Sequence, residues 1–157
     1  MTSMPELPGR IDRTLLDNAQ FPCTYTMPIR FEDLDVQWHV NNTKVLVLLQ
    51  EARVDFAMVR KLPALGDKIR PVVGGMTIEY AHEIRFPGDV EIATGILHMG
   101  RSSTVYAHLV RQNGLPCAYA LVTMVATQDG TPCALPAEWR TAHEERAMLH
   151  LPAFPTV

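Results

Sequence analysis

One segment constrains this chain more than any other. Thr43 to Arg60 is the single long run of helical length, apolar on nearly every side, and runs of strand character lie before and after it. Its apolar residues, Val45 to Leu49, Ala52, Val54 and Phe56 to Val59, are not confined to one stripe. A helix apolar nearly all round is a buried helix. Asn41 or Asn42 can cap its start by accepting from a first-turn N–H. Arg60 and Lys61 suit the negative end of its dipole, and Pro63 and Gly66 end it.

Ahead of this helix, Tyr25, Met27, Ile29 and Phe31 alternate with Thr24, Thr26 and Arg30. That predicts a strand over 23–32 with one buried face, and Pro28 confines it to an edge or a bulge. After the helix, strand-like runs at about 72–86, 90–100, 103–112 and 116–127 are separated by short turn sequences such as Gly100-Arg101-Ser102 and Asn113-Gly114. Short breaks between alternating runs read as an antiparallel meander. The fold class is therefore α+β: an antiparallel curved sheet wrapped around one long central helix. One helix cannot cover both faces of such a sheet, so a second copy is expected on the other face, in a homodimer or homotetramer. Residues 1–20 read as an N-terminal arm with a helical turn near 11–18, 21–130 as the domain, and 131–157 as a tail with a short helical stretch.

With 157 residues, 47% hydrophobic and 20% charged, the chain is one ordinary globular domain. A net charge of −3 without a concentrated basic face argues against a nucleic-acid partner. Cys23, Cys117 and Cys133 are odd in number and lack CxxC spacing, so free thiols are expected rather than disulfides or a zinc site. His82, His98 and His108 lack metal-ligand spacing, and neither a GxSxG elbow nor a glycine-rich nucleotide loop occurs. The start lacks a signal-peptide pattern and no apolar run has the length to cross a bilayer, which reads as a cytoplasmic protein off the membrane.

The stretch Arg30-Phe31-Glu32-Asp33-Leu34-Asp35-Val36-Gln37-Trp38-His39-Val40-Asn41-Asn42 resembles the signature of hot-dog thioesterases. It is most similar to the 4-hydroxybenzoyl-CoA thioesterase-like acyl-CoA thioesterases and to the acyl-ACP thioesterases. Thr77-Ile78-Glu79-Tyr80-Ala81-His82-Glu83 resembles a second motif of the acyl-ACP enzymes. The resemblance implies a hot-dog fold, an acyl-CoA or acyl-ACP substrate, and a catalytic carboxylate at Asp35. It places further catalytic groups at Gln37, His39 and Glu83. Gln37 stands where the acyl-ACP enzymes have Asn, and Ile84 where they have Cys, which excludes a cysteine nucleophile there.

The residues allow that chemistry. A carboxylate ahead of a helix can activate water or attack a thioester carbonyl. Free N–H groups at the helix start, near Asn41 to Thr43, can hold the oxyanion, which brings Asn42 into the candidate site. A thiolate leaves readily, so neither a metal nor a cofactor is expected, coenzyme A being part of the substrate. Its phosphates are assigned to Arg101, Ser102 and Ser103 at a hairpin tip, with Arg85 and Lys68 as further cations. Glu51 on the long helix reads as a partly buried carboxylate paired with Arg53 or with a neighbour at the dimer seam. A non-catalytic acyl-CoA-binding regulator or assembly module is the alternative reading.

Overall fold

The computed structural model of the chain describes residues 10–152. The first nine residues of the arm and the last five of the tail lie outside that range. The elements run α1 (Arg13–Asn18), β1 (Cys23–Pro28), a 3-10 turn (Phe31–Asp33), α2 (Asn42–Val59), β2 (Arg70–Tyr80), β3 (Asp89–Met99), β4 (Ser103–Gln112), β5 (Leu115–Gln128), β6 (Thr131–Pro132) and α3 (Ala137–Arg146). This is the expected hot-dog arrangement, a curled antiparallel sheet with one long helix against its inner face.

Asn41 is the cap of α2: its side chain accepts from the Thr43 amide at 2.9 Å. Val45, Leu48, Leu49, Ala52 and Phe56 form the buried stripe of α2 at three- and four-residue spacing. The first four meet inward-facing side chains such as Ile92, Val110 and Ala120, and Phe56 meets Ile96. The other sides of α2 differ from the sequence reading. Leu46, Val47, Val54, Met58 and Val59 are exposed in the protomer, so the helix is buried on one face only.

The sheet order is β1-β3-β4-β5-β2, all antiparallel. β3 to β5 form the expected meander, but β2 pairs with β5 and not with β3. The physical reason is the connection over 81–88. It is too long for a tight hairpin and carries the chain across the end of the sheet, with Ile84 accepting from Val40 N–H at 2.9 Å. β2 accordingly stops at Tyr80, six residues short of the run read from alternation. β1 is an edge strand that ends at Pro28, in keeping with the missing N–H there. Met27 and Ile29 are buried as alternation required, whereas Phe31 is 64% exposed because the chain has left the strand for the 3-10 turn.

The outer face of the sheet is covered in part by the chain itself. Leu16 of α1 is buried with Leu109, Tyr119 and Leu149. Ile11 N–H and the Arg13 guanidinium both bond Glu79 at 2.8 Å, holding the Glu79 carboxyl below its usual range, and Tyr119 donates to Asp17 at 2.8 Å. The tail returns beside β3, where Ile96 N–H donates to Ala147 and Leu149 N–H to Ile96. Arm and tail therefore occupy surface that had been assigned to a second copy. Cys23, Cys117 and Cys133 are free thiols.

Two buried histidines make stability depend on pH. Burial, with Arg53 adding to it, lowers His108 to about 3, and burial lowers His143 to about 4. Both are neutral in the native state and protonate near pH 6.5 once unfolded. Their contribution is complete above about pH 6.5 and is lost as pH falls toward 3 or 4, because protons then favour the unfolded chain. The urea midpoint is expected to fall between pH 7 and pH 4.5, and to fall less in His108→Gln. Equal drops in the two proteins would exclude His108 as a source.

Candidate active site

Asp35 sits in a loop pinned at both ends. Leu34 and Val40 form an antiparallel bridge, and Asp35 N–H donates to His39 at 3.0 Å. Trp38 N–H closes the turn on the Asp35 carbonyl at 3.0 Å. The turn holds Trp38 at φ +65, a left-handed conformation uncommon for a side chain of this size. Asp33, 8% exposed, is structural: one carboxylate oxygen accepts from Arg30 N–H and its carbonyl from Asn41 N–H, both at 2.8 Å.

The Asp35 carboxylate is divided between two tasks. Oδ1 accepts from Gln37 N–H at 2.8 Å and fixes the side chain. Oδ2 faces His39 Nδ1 at 3.9 Å, beyond hydrogen-bond length, and is left for chemistry. Both side chains keep about a quarter of their surface open, at 23% for Asp35 and 24% for His39. Gln37 Oε1 lies 3.0 Å from His39 Nε2. That contact lets Gln37 orient His39. A proton on Nδ1 points an N–H toward Asp35 and the Val40 carbonyl, and a half-turn of the Gln37 amide then lets it donate to Nε2.

The start of α2 faces the same space. Among the amides from Asn41 to Lys44, Asn41 donates to Asp33, Thr43 to the Asn41 side chain and Lys44 to the Asn41 carbonyl. That leaves the Asn42 N–H as the one of the four without a partner among the described residues, narrower than the sequence expectation of a group of amides. Tyr80, which sequence reasoning passed over, ties β2 to this point by donating to the Asn42 carbonyl at 2.9 Å. Alternation gave no sign of it, because the run read from the sequence continued to Phe86 and β2 ends at Tyr80.

Asp35, Gln37, His39, Asn42, Tyr80, His82 and Glu83 line one cavity of about 370 Å³. Glu83 is exposed on its rim and paired with Arg85 at 3.1 Å. Gln112 clamps that segment, accepting from Arg85 N–H at 2.9 Å and donating to its carbonyl at 2.8 Å. Asp35 also borders a second, more open recess with Phe31, Leu34, Val36 and Trp38. The carboxylate thus stands between two recesses.

The structure does not bring every candidate together. Arg101, Ser102 and Ser103 lie in the β3–β4 turn, at the far end of β4 from Gln112. Ten residues of strand separate the two ends, about 30 Å at 3.3 Å per residue. Within one protomer they do not share a ligand with Asp35, whereas Arg85 lies at the Asp35 end through the His39–Arg85 bridge. Lys68 is beyond the opposite end of β2. Glu51 is exposed and lines a recess with Lys44 and Asp33, not with Arg53, because successive helix residues but one point apart. Among the described residues, no group of three or more His, Cys, Asp or Glu could hold a metal, and no helix is long and apolar enough to cross a membrane.

Comparison with known proteins gives the family and the fold. The family model of the thioesterase-like superfamily matches residues 29–143. A thioesterase from Thermus thermophilus, solved with coenzyme A and zinc, is 29% identical over 80% of this chain and 94% of its own, with a TM-score of 0.70. A predicted thioesterase from Bacillus stearothermophilus is 26% identical over 79% of this chain and 95% of its own, with a TM-score of 0.69. A 1,4-dihydroxy-2-naphthoyl-CoA thioesterase from Synechocystis, 17% identical over 78% of this chain and 95% of its own, shares the fold at a TM-score of 0.70. No curated protein matches the chain in sequence. The chain belongs to the thioesterase-like superfamily and is a thioester hydrolase on the hot-dog fold.

Proposed function

We propose that this chain hydrolyses acyl-CoA thioesters, with Asp35 as general base or nucleophile. The observation that carries the reading is the free Oδ2 of Asp35 in a cavity shared with the unbonded Asn42 amide. The carboxylate attacks the thioester carbonyl, or deprotonates the water that attacks it, while the Asn42 N–H, at the positive end of the α2 dipole, stabilises the oxyanion, whose collapse breaks the C–S bond and expels the thiolate; in the nucleophilic route water then hydrolyses the acyl–Asp35 anhydride. His39, held by Gln37, positions the water or the carboxylate. The acyl group enters one of the recesses that meet at Asp35 and the thiol-bearing arm the other. The Thermus thioesterase, which binds coenzyme A and shares 29% of its residues with this chain, supports coenzyme A over a protein carrier. The reaction requires no further cofactor.

The active form we infer is a homodimer. β2 is an edge strand with exposed Val72 and Val73, next to exposed Val54 and Met58 of α2. An open apolar edge of this length invites pairing with a second copy, which a two-fold axis makes antiparallel. Such pairing sets the Tyr80 end of one β2 beside the Arg70 end of the other. It is also what brings the partner's β3–β4 turn, with its arginine and serines, toward the Asp35 site as a phosphate contact.

The test is thiol release from a panel of straight-chain acyl-CoAs and one aryl-CoA, on a preparation whose sedimentation gives its mass. Turnover of at least one substrate by a species of twice the chain mass is expected. Tight acyl-CoA binding without thiol release on any substrate would reject hydrolysis and favour the non-catalytic regulator.

A further inference from the structure

His82 lines the Asp35 cavity and has no part in the chemistry assigned above. Its Nδ1 lies 2.7 Å from the Pro116 carbonyl. A carbonyl oxygen only accepts, so Nδ1 carries a proton and donates it. In the neutral ring the other nitrogen, Nε2, then holds the lone pair. Nε2 has no hydrogen-bond partner among the described residues, and none of their ion pairs includes His82. The backbone is held as well. His82 N–H donates to the Cys117 carbonyl at 3.2 Å, beside the Ala81 N–H bond to the same oxygen at 2.8 Å. His82 is thus a fixed ring with an unused acceptor.

The same wall offers further acceptors. Asp35 Oδ2 is unbonded, and Glu83 brings a second carboxylate. Tyr80 spends its hydroxyl proton on the Asn42 carbonyl, which leaves its oxygen to accept. The Asn42 N–H is committed to the oxyanion. A wall of acceptors suits contents that donate. The second recess at Asp35 is different in kind. Of its five residues, Phe31, Leu34, Asp35, Val36 and Trp38, only Asp35 is polar. The Phe31 and Trp38 rings stand 6.1 Å apart and are largely exposed. The two recesses also belong to opposite edges of the sheet: Tyr80 to His82 continue β2, whereas Phe31 follows β1. A thioester at Asp35 therefore has a hydrogen-bonding side and an apolar side.

We propose that the His82 cavity holds the thiol-bearing arm of the substrate, with His82 Nε2 accepting from the arm's first amide N–H, and that the acyl group lies on Phe31 and Trp38. The proposal rests on the thioesterase reading and gives the substrate its direction. In coenzyme A that amide is separated from the sulfur by only two methylenes, so it follows the thioester directly into the recess that takes the arm. At about 370 Å³ the cavity is at the small end for ligand pockets, with room for a segment of the arm and not for the nucleotide. The arm then leads toward the β2 edge, where the phosphate contact of the second copy was inferred. On the other side, the indole of Trp38 is carried by a backbone at φ +65, a strained conformation kept where the ring has a use.

The test crosses two features in four small thioesters. The acyl group is acetyl or hexanoyl, and the thiol is N-acetylcysteamine or its analogue with an ester oxygen in place of the amide N–H. kcat/KM is measured for wild type, His82→Phe and Trp38→Gly, with melting curves to show that each variant folds. Phenylalanine keeps a ring without the acceptor, and glycine adopts φ +65 freely, so its turn is not strained. Wild type is expected to prefer the amide arm by about three- to tenfold, the worth of one neutral hydrogen bond, and hexanoyl over acetyl by about tenfold or more. His82→Phe is expected to abolish the first preference and keep the second. Trp38→Gly is expected to cut the second by about threefold or more and keep the first. No amide preference in wild type, a preference that survives His82→Phe, or an exchange of the two effects between the variants would overturn the proposal. Calorimetry with the hexyl thioethers of the two thiols, which cannot be hydrolysed, is expected to show the same His82-dependent amide preference. That arm needs no turnover, so absence of thiol release rejects the thioesterase reading while the binding comparison still decides the role of His82.

Discussion

Phe56→Ala is expected to cost about 3–5 kcal/mol of stability, the largest single loss on α2. Phe56 is 0% exposed and packs edge-on against Tyr106, with ring centroids 6.2 Å apart and planes at 86°. It anchors a cluster with Ile96 and Ala147, so its ring joins the helix to both the sheet and the returning tail. Alanine removes the ring, leaves a void that neighbours fixed by backbone pairing cannot fill, and forfeits an aromatic pair worth about 0.5–1.5 kcal/mol within that total. For a domain of this size the melting temperature is expected to fall by roughly ten degrees. Urea unfolding with an unchanged m-value measures it, and a midpoint equal to that of wild type would show that this end of α2 is not held by packing. Phe56 lies in the half of the helix away from Asp35, so the folded variant is expected to keep its turnover.

Asp35→Asn is expected to lower kcat by about a hundred- to ten-thousand-fold, the range of a lost general base, with little change in KM. The geometry isolates the chemical effect. Oδ1 of Asp35 accepts from Gln37 N–H, a bond that the amide oxygen of Asn reproduces, so the turn and Trp38 stay in place. What disappears is the negative charge and basicity of Oδ2, the oxygen without a hydrogen bond. The Asn42 amide and the two recesses remain, so the variant is expected to bind substrate and leave it unhydrolysed. A fall of less than tenfold would move the chemistry to another carboxylate, with Glu83 on the rim of the same cavity as the next candidate.

Much of this is legible in the amino-acid sequence. The helix expected over 43–60 runs Asn42–Val59, and the run at 103–112 is β4 with the same bounds. Both are set by local periodicity, which a sequence displays directly. The residues that meet at Asp35 were legible too, because Asp35, Gln37, His39 and Asn42 lie within eight positions of one another. Partnership across the sheet was not. The alternation of β2 marks a strand but says nothing about which edge it joins, and the 81–88 connection decides that. Arg101 to Ser103 read correctly as a hairpin tip, yet their distance from Asp35 depends on which end of β4 the tip occupies. Leu16 on the outer face was equally out of reach, because its burial depends on what residues far away in sequence place beside it.

The central claim is that Asp35 drives thioester hydrolysis at the start of α2. The most direct measurement is single-turnover thiol release: protein in excess over an acyl-CoA that it hydrolyses, wild type and Asp35→Asn side by side, each with the same melting curve. The account predicts a burst of free thiol from wild type and, from the variant, bound and intact acyl-CoA over the same time. Equal release from both proteins would contradict it.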